Sequence, residues 1–416
     1  MNVNIRTSPA EGLNASMNLY GLKTDSLALD TIYFNATQQP DKISFNSGVI
    51  ANDKPFQEAF DITLNGDIGA DKANATIEYL NGKKECGVNI GMVAGLQKGG
   101  ISLHITPFDP ILVYRKFTVN PDNYIYLRDD GRIMANLSIY DELRTGLSFY
   151  STPDSTARQD LTLSLTQINI GEFKRVIPYM PDIEGVINSE AHYVQTEDGM
   201  DQISLENNIN QLRYNGIALG DWALSAVYLP KQTGEQHING LIMQNDKEVI
   251  SIEGSYFPAE EKEQKEDRID ARMALHHFPL EIANSFIPGK MAMLSGDIDG
   301  TMQMSGNASQ PLMNGKINLD SVNVYVPQAS LNLRFDTNRW KSRTASYIQP
   351  FQIFTKGKTP FTIDGDVDMA DFSQMKMNLK MDANNFELLN AKQTKQSLVY
   401  GKLYVDFHST LKRYTR

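Results

Sequence analysis

The chain has 416 residues, of which 41% are hydrophobic, so its length and composition suffice to bury substantial apolar surface and exclude a disordered chain. Its formal net charge is −11, and no run of Lys and Arg is dense enough to track phosphates, so nucleic acid is not an expected partner. Cys86 is the only cysteine, which excludes an internal disulfide.

The N-terminus lacks the charged-then-apolar pattern of a signal peptide. No window of the sequence approaches the ~20 apolar residues of a membrane-spanning helix. We therefore expect either a cytosolic protein or an internal fragment of a longer one.

Strict alternation of apolar and polar residues dominates the chain, and this pattern predicts strands with one buried and one solvated face. Helical periodicity is scarce, so the predicted fold class is mainly β. The apolar positions of the clearest segments are Ile133, Ala135, Leu137 and Ile139; Leu331, Leu333 and Phe335; Phe361, Ile363, Val367 and Met369; and Met375, Met377, Leu379 and Met381. Between Leu319 and Val324 the apolar–polar alternation shifts by one residue, so that these two apolar residues are an odd number of positions apart. This shift predicts a β-bulge.

Glycines punctuate the strand pattern in two ways. Four Asn-Gly or Asp-Gly pairs have the composition that type I′ hairpin turns prefer, although not every pair is expected to turn. These pairs begin at Asn81, Asp198, Asn215 and Asn314. Around Gly66 and Gly365 the alternation continues through the glycine, which favours a position inside a strand where neighbours approach closely. The glycines at 87, 91, 95 and 99 are predicted to lie in strands or turns, because polar residues interrupt the run.

Two short helices are predicted at 170–178 and 280–288. In the first, Phe173, Val176 and Ile177 have the spacing of one helical face, and a proline ends each segment. Both are too short to be stable alone in water, so we expect them to plug or cap a sheet. The densely charged run 259–268 between them is predicted to be a solvated loop without function.

The two predicted helices belong to an internal repeat. They align without a gap at an offset of 110 residues, and Gly185 corresponds to Gly296 one residue further on. A fainter third copy runs from Phe386 towards Gly401. This repetition predicts that residues 1–416 form one extended, repetitive β module.

The sequence contains no recognisable catalytic or metal-binding constellation. His276 and His277 are close, but adjacent strand residues point to opposite faces and so do not jointly hold one metal. A calcium site is suggested only superficially by three alternating aspartates, Asp364, Asp366 and Asp368. The loop glycine and the bidentate Glu of such a site are missing, and Cys86 has no Cys-His-Asn context. We therefore predict a protein that is not an enzyme and has no cofactor or metal.

Ten of the 17 methionines lie between Met273 and Met381. Methionine is flexible and polarizable, so a methionine-rich wall accommodates partners of variable shape, including acyl chains and unfolded apolar segments. An ordinary sealed core is the simpler interpretation of this composition taken alone.

After the second predicted helix the chain reads Leu294-Ser-Gly-Asp-Ile-Asp-Gly, then Ser-Gly-Asn-Ala-Ser-Gln-Pro-Leu-Met-Asn-Gly-Lys-Ile-Asn-Leu, and later Phe-Thr-Ile-Asp-Gly-Asp-Val-Asp-Met-Ala-Asp-Phe. In this order, over 278–407, the motifs resemble the TamB family of translocation and assembly module proteins, within the AsmA-like superfamily of bridge-like lipid transfer proteins. Weaker similarity extends over 106–137 and 168–191.

The resemblance implies an elongated, curved antiparallel β-sheet that forms an open apolar, β-taco-like trough with short inserted helices. It also implies the periplasm of a Gram-negative bacterium, an inner-membrane anchor and an Omp85-type outer-membrane partner. The anchor is expected to be absent from this chain, and the family is expected to continue with more strands beyond Arg416.

The leading hypothesis is a non-enzymatic segment whose trough carries phospholipid or other apolar cargo between the inner and outer membranes. The residues expected to line it are Leu319, Val324, Val326, Leu331, Leu333, Phe335, Ile363, Met369, Met375, Met377, Leu379 and Met381. The alternative is a scaffold for assembly or secretion of outer-membrane β-barrel proteins or autotransporters, in which exposed sheet edges template incoming strands. A polysaccharide-acting β-helix enzyme would need shorter, regular rungs and clustered carboxylates, and the sequence supplies neither.

Overall fold

The computed structural model describes residues 2–8, 12–24, 27–153, 156–177, 180–259, 266–287, 291–329, 331–335, 340–342, 346–355, 360–368, 376–391 and 401–413. Contacts between residues divide the chain into two compact units, Met1–Leu212 and Arg213–Arg416. Each unit consists mainly of antiparallel strands. The prediction of one repetitive module over 1–416 stays a prediction.

Twenty-eight strands account for most of the described residues. The first sixteen are β1 (Asn2–Ser8), β2 (Gly12–Lys23), β3 (Ala28–Gln38), β4 (Lys42–Ala51), β5 (Phe60–Gly69), β6 (Lys72–Asn81), β7 (Cys86–Gln97), β8 (Gly100–Leu112), β9 (Arg115–Lys116), β10 (Thr118–Val119), β11 (Tyr124–Arg128), β12 (Ile133–Tyr140), β13 (Gly146–Ser151), β14 (Gln159–Asn169), β15 (Ile183–Gln195) and β16 (Asp201–Tyr214). The other twelve are β17 (Ile217–Pro230), β18 (Gln236–Gln244), β19 (Lys247–Phe257), β20 (Arg268–Pro279), β21 (Met293–Asn307), β22 (Leu312–Val326), β23 (Leu331–Phe335), β24 (Trp340–Ser342), β25 (Ser346–Phe354), β26 (Phe361–Asp368), β27 (Lys376–Ala391) and β28 (Gly401–Arg413). Among the described residues, 3-10 helices lie at Ile170–Arg175, Leu280–Phe286 and Pro327–Ala329.

The strands follow a meander in which sequential neighbours pair antiparallel, as in β1 to β8 and in β17 to β22. In the first unit β11 pairs with β8 and β12, while the short β9 and β10 add to β8 and β12. In the second unit β22 pairs with both β23 and β24, and β23 also pairs with β25. The predicted fold class is therefore confirmed: the protein is mainly β, with an open antiparallel sheet and few helical residues.

Three of the four glycine pairs lie at hairpin turns, but only Asn215-Gly216 has positive φ at both residues, so the type I′ expectation is met at that pair alone. The pair Asn215-Gly216 has φ values of +49° and +75°, as a type I′ turn requires. The pairs Asn81-Gly82 and Asp198-Gly199 also lie in turns, whereas Asn314-Gly315 lies inside β22. The charged run 259–268 ends where β20 begins, and its residues 260–265 lie outside the described part of the chain.

Two predicted strand glycines lie inside strands, Gly66 in β5 and Gly365 in β26. An added Cβ at Gly66 would lie closest to the backbone oxygen of Asn74 and 2.5 Å from Cζ of Phe45. Phe45 is the directly paired residue on β4, so its ring lies across the glycine. Gly95 in β7 differs, because an added Cβ would have no neighbour within 4 Å.

The internal repeat corresponds to a repeated bulge. A residue in the left-handed region marks each copy, at Gln167 (φ +50°), His277 (φ +45°) and Asn385 (φ +49°). The strand register shifts at each of these positions. The amide of each bulged residue donates to a side-chain oxygen on the next strand, and the acceptors are Asn188 and Asp299, both at 2.9 Å, and Asp406. We call this contact the bulge clamp.

Both predicted helices are present as 3-10 helices, and both are shorter than predicted. The amides of Val176 and Ile177 donate to the carbonyl oxygen of Phe173, so these two residues follow the first helix rather than lying in it. Pro178 and Pro288 lie outside the described residues. Within the described part of the chain, none of the helices has the length and hydropathy needed to cross a membrane.

We expect Gly66→Ala to destabilise the first unit by about 1–3 kcal/mol, because the new methyl group displaces the Phe45 ring. Gly95→Ala is the matched control and should be neutral or slightly stabilising, because its methyl group enters open space. Thermal melting distinguishes the two: Gly66→Ala should lower Tm by roughly 2–10 °C. Equal melting temperatures would contradict the close approach of Phe45.

We expect Asp299→Ala to release the bulge clamp at His277 and to speed amide exchange there by about tenfold, since a lost hydrogen bond costs about 1 kcal/mol. Asp299→Asn keeps the Oδ1 acceptor and should exchange like the parent protein. Hydrogen exchange of peptides that contain His277, measured by mass spectrometry, gives the answer. Unchanged exchange in Asp299→Ala would show that the clamp does not hold the bulge.

Candidate apolar binding face

Most residues predicted to line a trough share one face of the second-unit sheet. Residues paired directly across antiparallel strands project to the same side. Val324 lies opposite Leu333, and Val326 lies opposite Leu331. Further pairs on this face are Leu319 with Ile298, Phe335 with Ile353, Ile363 with Met381, and Leu379 with Leu411. We call these residues the second-unit apolar face.

The predicted bulge explains how Leu319 and Val324 share this face despite their odd spacing. The register between β21 and β22 shifts between Ser295 and Asp297 and leaves one additional residue in β22. Ser321, within that stretch, has a φ of +54°. The prediction of a bulge between Leu319 and Val324 is confirmed.

Three of the predicted methionines are described only in part or not at all. Met369 and Met375 lie outside the described residues. Met377 lies in β27 with its backbone opposite Val367, and its side chain is outside the described part of the structure.

The side chains of the second-unit apolar face are half-buried rather than sealed. Leu319, Leu333 and Met381 are all of this kind, whereas Asn332 and Arg334, which alternate with the apolar residues of β23, are exposed. Other methionines extend the face, since Met273 pairs with Met302 and Met304 with Met313. In the described part of the second unit, the fully buried hydrophobic residues are Leu219, Val249, Ala274, Val322, Ala383 and Phe386.

A corresponding first-unit apolar face crosses β2 to β7. One row of cross-strand partners on it is Met17, Phe34, Ser47, Leu64, Ile77 and Ile90. Phe34, Leu64 and Ile77 are 37%, 39% and 40% exposed, respectively. Such large apolar side chains would be buried almost completely in a sealed core. This part of the sheet therefore presents apolar surface to solvent.

The end of the first 3-10 helix covers another part of the first-unit apolar face. Val176 packs against a cluster whose buried members are Ala51, Phe60 and Tyr79. The aromatic rings of Phe60 and Tyr79 are stacked with centroids 6.1 Å apart, and burial raises the pKa of the Tyr79 hydroxyl. An added Cβ at Gly87 would lie 2.9 Å from Val176 Cγ1, so the helix end lies close against β7. The helix plugs the sheet, as predicted from its length.

The short strands β9 and β10 cover a second region of the same face. Phe117 and Val119 are buried against Leu137 and Ile139 of β12. Val119 is completely buried, with 0% exposure. The first unit therefore has a true core, located where these segments lie over the sheet.

A cavity of about 380 Å³ lies between the first 3-10 helix and the sheet. Strand residues that line it include Val88, Ile139 and Leu147, and Phe173 and Ile177 line it from the helix side. Ile177 is also 47% exposed, so the cavity reaches solvent beside it. We call this space the helix cavity.

Arg115 lies at the rim of the helix cavity and joins three elements. Its Nη1 lies 3.0 Å from Oδ2 of Asp141, and its Nη2 lies 3.1 Å from Oε2 of Glu172. Asp141 also accepts hydrogen bonds from the amides of Leu143 and Thr145. The guanidinium thus ties the helix to the β12–β13 turn.

The histidines that the sequence analysis excluded as a metal site each form an ion pair with a carboxylate. His276 pairs with Glu248 at 3.2 Å and His277 with Asp299 at 3.1 Å, so the two histidines bind different carboxylates. Among the described residues there is no group of three or more metal-ligating side chains. Burial raises the pKa of the Cys86 thiol, which disfavours the thiolate. The aspartates at 364, 366 and 368 lie in β26, and their side chains are outside the described part.

Nothing in the sequence pattern pointed directly to the helix cavity or to the Arg115 ion pairs. The apolar spacing of Phe173, Val176 and Ile177 was the available signal, since these residues do face the sheet. Their partners come from strands far away along the chain, which periodicity does not identify.

No protein-family model, curated protein or solved structure matches the chain. The resemblance to the TamB family therefore stays a prediction.

We expect Val176→Asp to destabilise the first unit by roughly 2–4 kcal/mol, because it places a carboxylate against the Phe60 and Tyr79 cluster. Ile177→Asp is the matched control at an exposed position and should cost about 1 kcal/mol or less. Chemical denaturation of the two variants measures the difference. Equal stability would contradict the packing of Val176 on the sheet.

Proposed function

We propose that the chain is a non-enzymatic segment of a TamB-like bridge whose apolar sheet faces shield phospholipid acyl chains, or similar apolar cargo, during passage between membranes. The observation that carries this proposal is the half-exposed apolar face found in each unit. In the second unit its described members include Leu319, Val324 and Leu333, all half-buried. In the first unit Phe34 and Ile77 remain 37% and 40% exposed.

The energetics favour hydrocarbon as the occupant. Burial of each acyl CH₂ contributes about 0.8 kcal/mol without any directional contact. Met273 opposite Met302, and Met304 opposite Met313, add polarizable and adaptable side chains to the surface. Such a surface holds chains of varied length and shape, as a lipid carrier requires.

The envelope setting is part of the proposal and rests on the resemblance over 278–407. In that setting the chain lies in the periplasm of a Gram-negative bacterium. Its proposed partners are the inner membrane and an Omp85-type outer-membrane protein. The proposed action is binding, without a cofactor or metal.

Leu333→Asp tests the proposal, because it places a charge on the second-unit apolar face where the side chain is only half-buried. We expect it to reduce binding of a fluorescent NBD-labelled phosphatidylethanolamine by about tenfold or more, since an acyl chain is then packed against a carboxylate. Asn332→Asp adds the same charge to an exposed neighbour on the opposite face and should bind like the parent protein.

Native mass spectrometry of the mildly purified chain supplies the second measurement. Co-purified phospholipid that is lost in Leu333→Asp supports the proposal. If the parent chain binds no phospholipid by either method, the proposal is wrong. Binding of unfolded outer-membrane β-barrel segments without lipid would instead support the assembly-scaffold alternative.

A further inference from the structure

Apolar side chains line most of the helix cavity. Its one guanidinium belongs to Arg115, whose terminal nitrogens already contact carboxylates. Its volume of about 380 Å³ lies at the lower end of the range for small-ligand sites. Leu112, Phe117, Ile168 and Phe173 contribute apolar walls. Arg115 and Glu172 are the charged residues among those that line it.

The charges at the rim disfavour an anion. Arg115 directs Nη1 to Asp141 and Nη2 to Glu172, at 3.0 and 3.1 Å. The Asp141 side chain is only 5% exposed and accepts hydrogen bonds from two backbone amides besides its contact with Arg115. One cation against two carboxylates leaves a net charge of about −1 in a partly desolvated place, where charges interact more strongly than in water.

Arg115 retains one unused donor. Its Nε–H is buried and has no hydrogen-bond acceptor among the described residues. A buried donor without an acceptor costs about 1–3 kcal/mol. Because this N–H has almost no accessible surface, it is not available to a ligand in the cavity, so Arg115 offers no free donor that would hold a carboxylate.

We propose that the helix cavity binds the acyl chain of a neutral ester, with the hydrocarbon under the helix and the ester group at the rim, and that it discriminates against free fatty-acid carboxylates. The inference deepens the proposed function and rests on it for the identity of the occupant as an acyl chain. It assigns to the first unit a specific acyl-ester site, in addition to the open apolar faces.

The test uses the full chain and a monomyristin analogue that carries a diazirine at the end of its acyl chain. After illumination, peptide mass spectrometry should place the crosslinks on cavity-lining segments that contain Phe117 and Leu147. Unlabelled monomyristin should compete at least about tenfold better than myristate, both below their critical micelle concentrations, because myristate brings its charge to the negative rim.

Two variants separate entry of the ligand into the cavity from discrimination between neutral and charged ligands. Ile177→Trp enlarges an exposed residue at the mouth and should reduce crosslinking about tenfold while its thermal melt stays unchanged. Glu172→Gln removes one carboxylate and should reduce the advantage of monomyristin over myristate several-fold. Glu197→Gln makes the same change in charge in an exposed turn outside the cavity lining and should leave both competitors unchanged.

Equal competition by myristate and monomyristin overturns the inference, as does an identical response of Glu172→Gln and Glu197→Gln. Crosslinks that avoid the cavity also overturn it, and the proposed function then stands if phospholipid binding still depends on Leu333. Loss of both the crosslinks and the Leu333-dependent binding overturns the proposed function as well.

Discussion

The cross-strand register of apolar side chains is the constraint on which the other features of this protein depend. Side chains alternate with a period of two, so a slip of one residue moves every apolar group of a strand to the other face. Phe34, Leu64 and Ile77 remain in one row because β3 to β6 keep register. The pair Val324 and Leu333 obeys the same rule in the second unit. The partly exposed apolar rows exist only while this register is kept.

The bulges are where the register has to be controlled. At Gln167, His277 and Asn385 the backbone enters the left-handed region, and a side chain on the next strand accepts the freed amide. The bulge interrupts the backbone hydrogen bonds between the two strands, and this contact supplies an acceptor for the amide that has lost its partner. The copies of the internal repeat therefore resemble one another for a structural reason. Each copy encodes a bulge together with the side chain that accepts the hydrogen bond of the bulged amide. The strand after each junction has a glycine with positive φ near its start, Gly185 in β15 and Gly296 in β21.

What lies over the apolar face differs from place to place, and this difference determines what each region offers a ligand. In the first unit Val119 of the short strand β10 is completely buried against β12, whereas Leu64 on the same sheet is 39% exposed. The helix cavity is intermediate in how far the face is covered, with Phe173 lining it from the helix and Ile139 from the sheet. In the second unit Leu319 and Met381 are half-buried. A protein that handled one rigid ligand would concentrate its contacts, whereas extended half-exposed surfaces suit hydrocarbon of variable length.

The sequence by itself determined the strands, the strand positions of Gly66 and Gly365, the bulge before Val324 and the location of both short helices, because each depends on local alternation or on a turn residue. It also predicted which residues alternate to one side, although their role in lipid binding stays a prediction. Only the tertiary structure decided which parts of the apolar face are covered. The helix cavity and the ion pairs of Arg115 join segments distant in sequence, and their formation depends on where a short helix crosses the sheet, which no local period encodes.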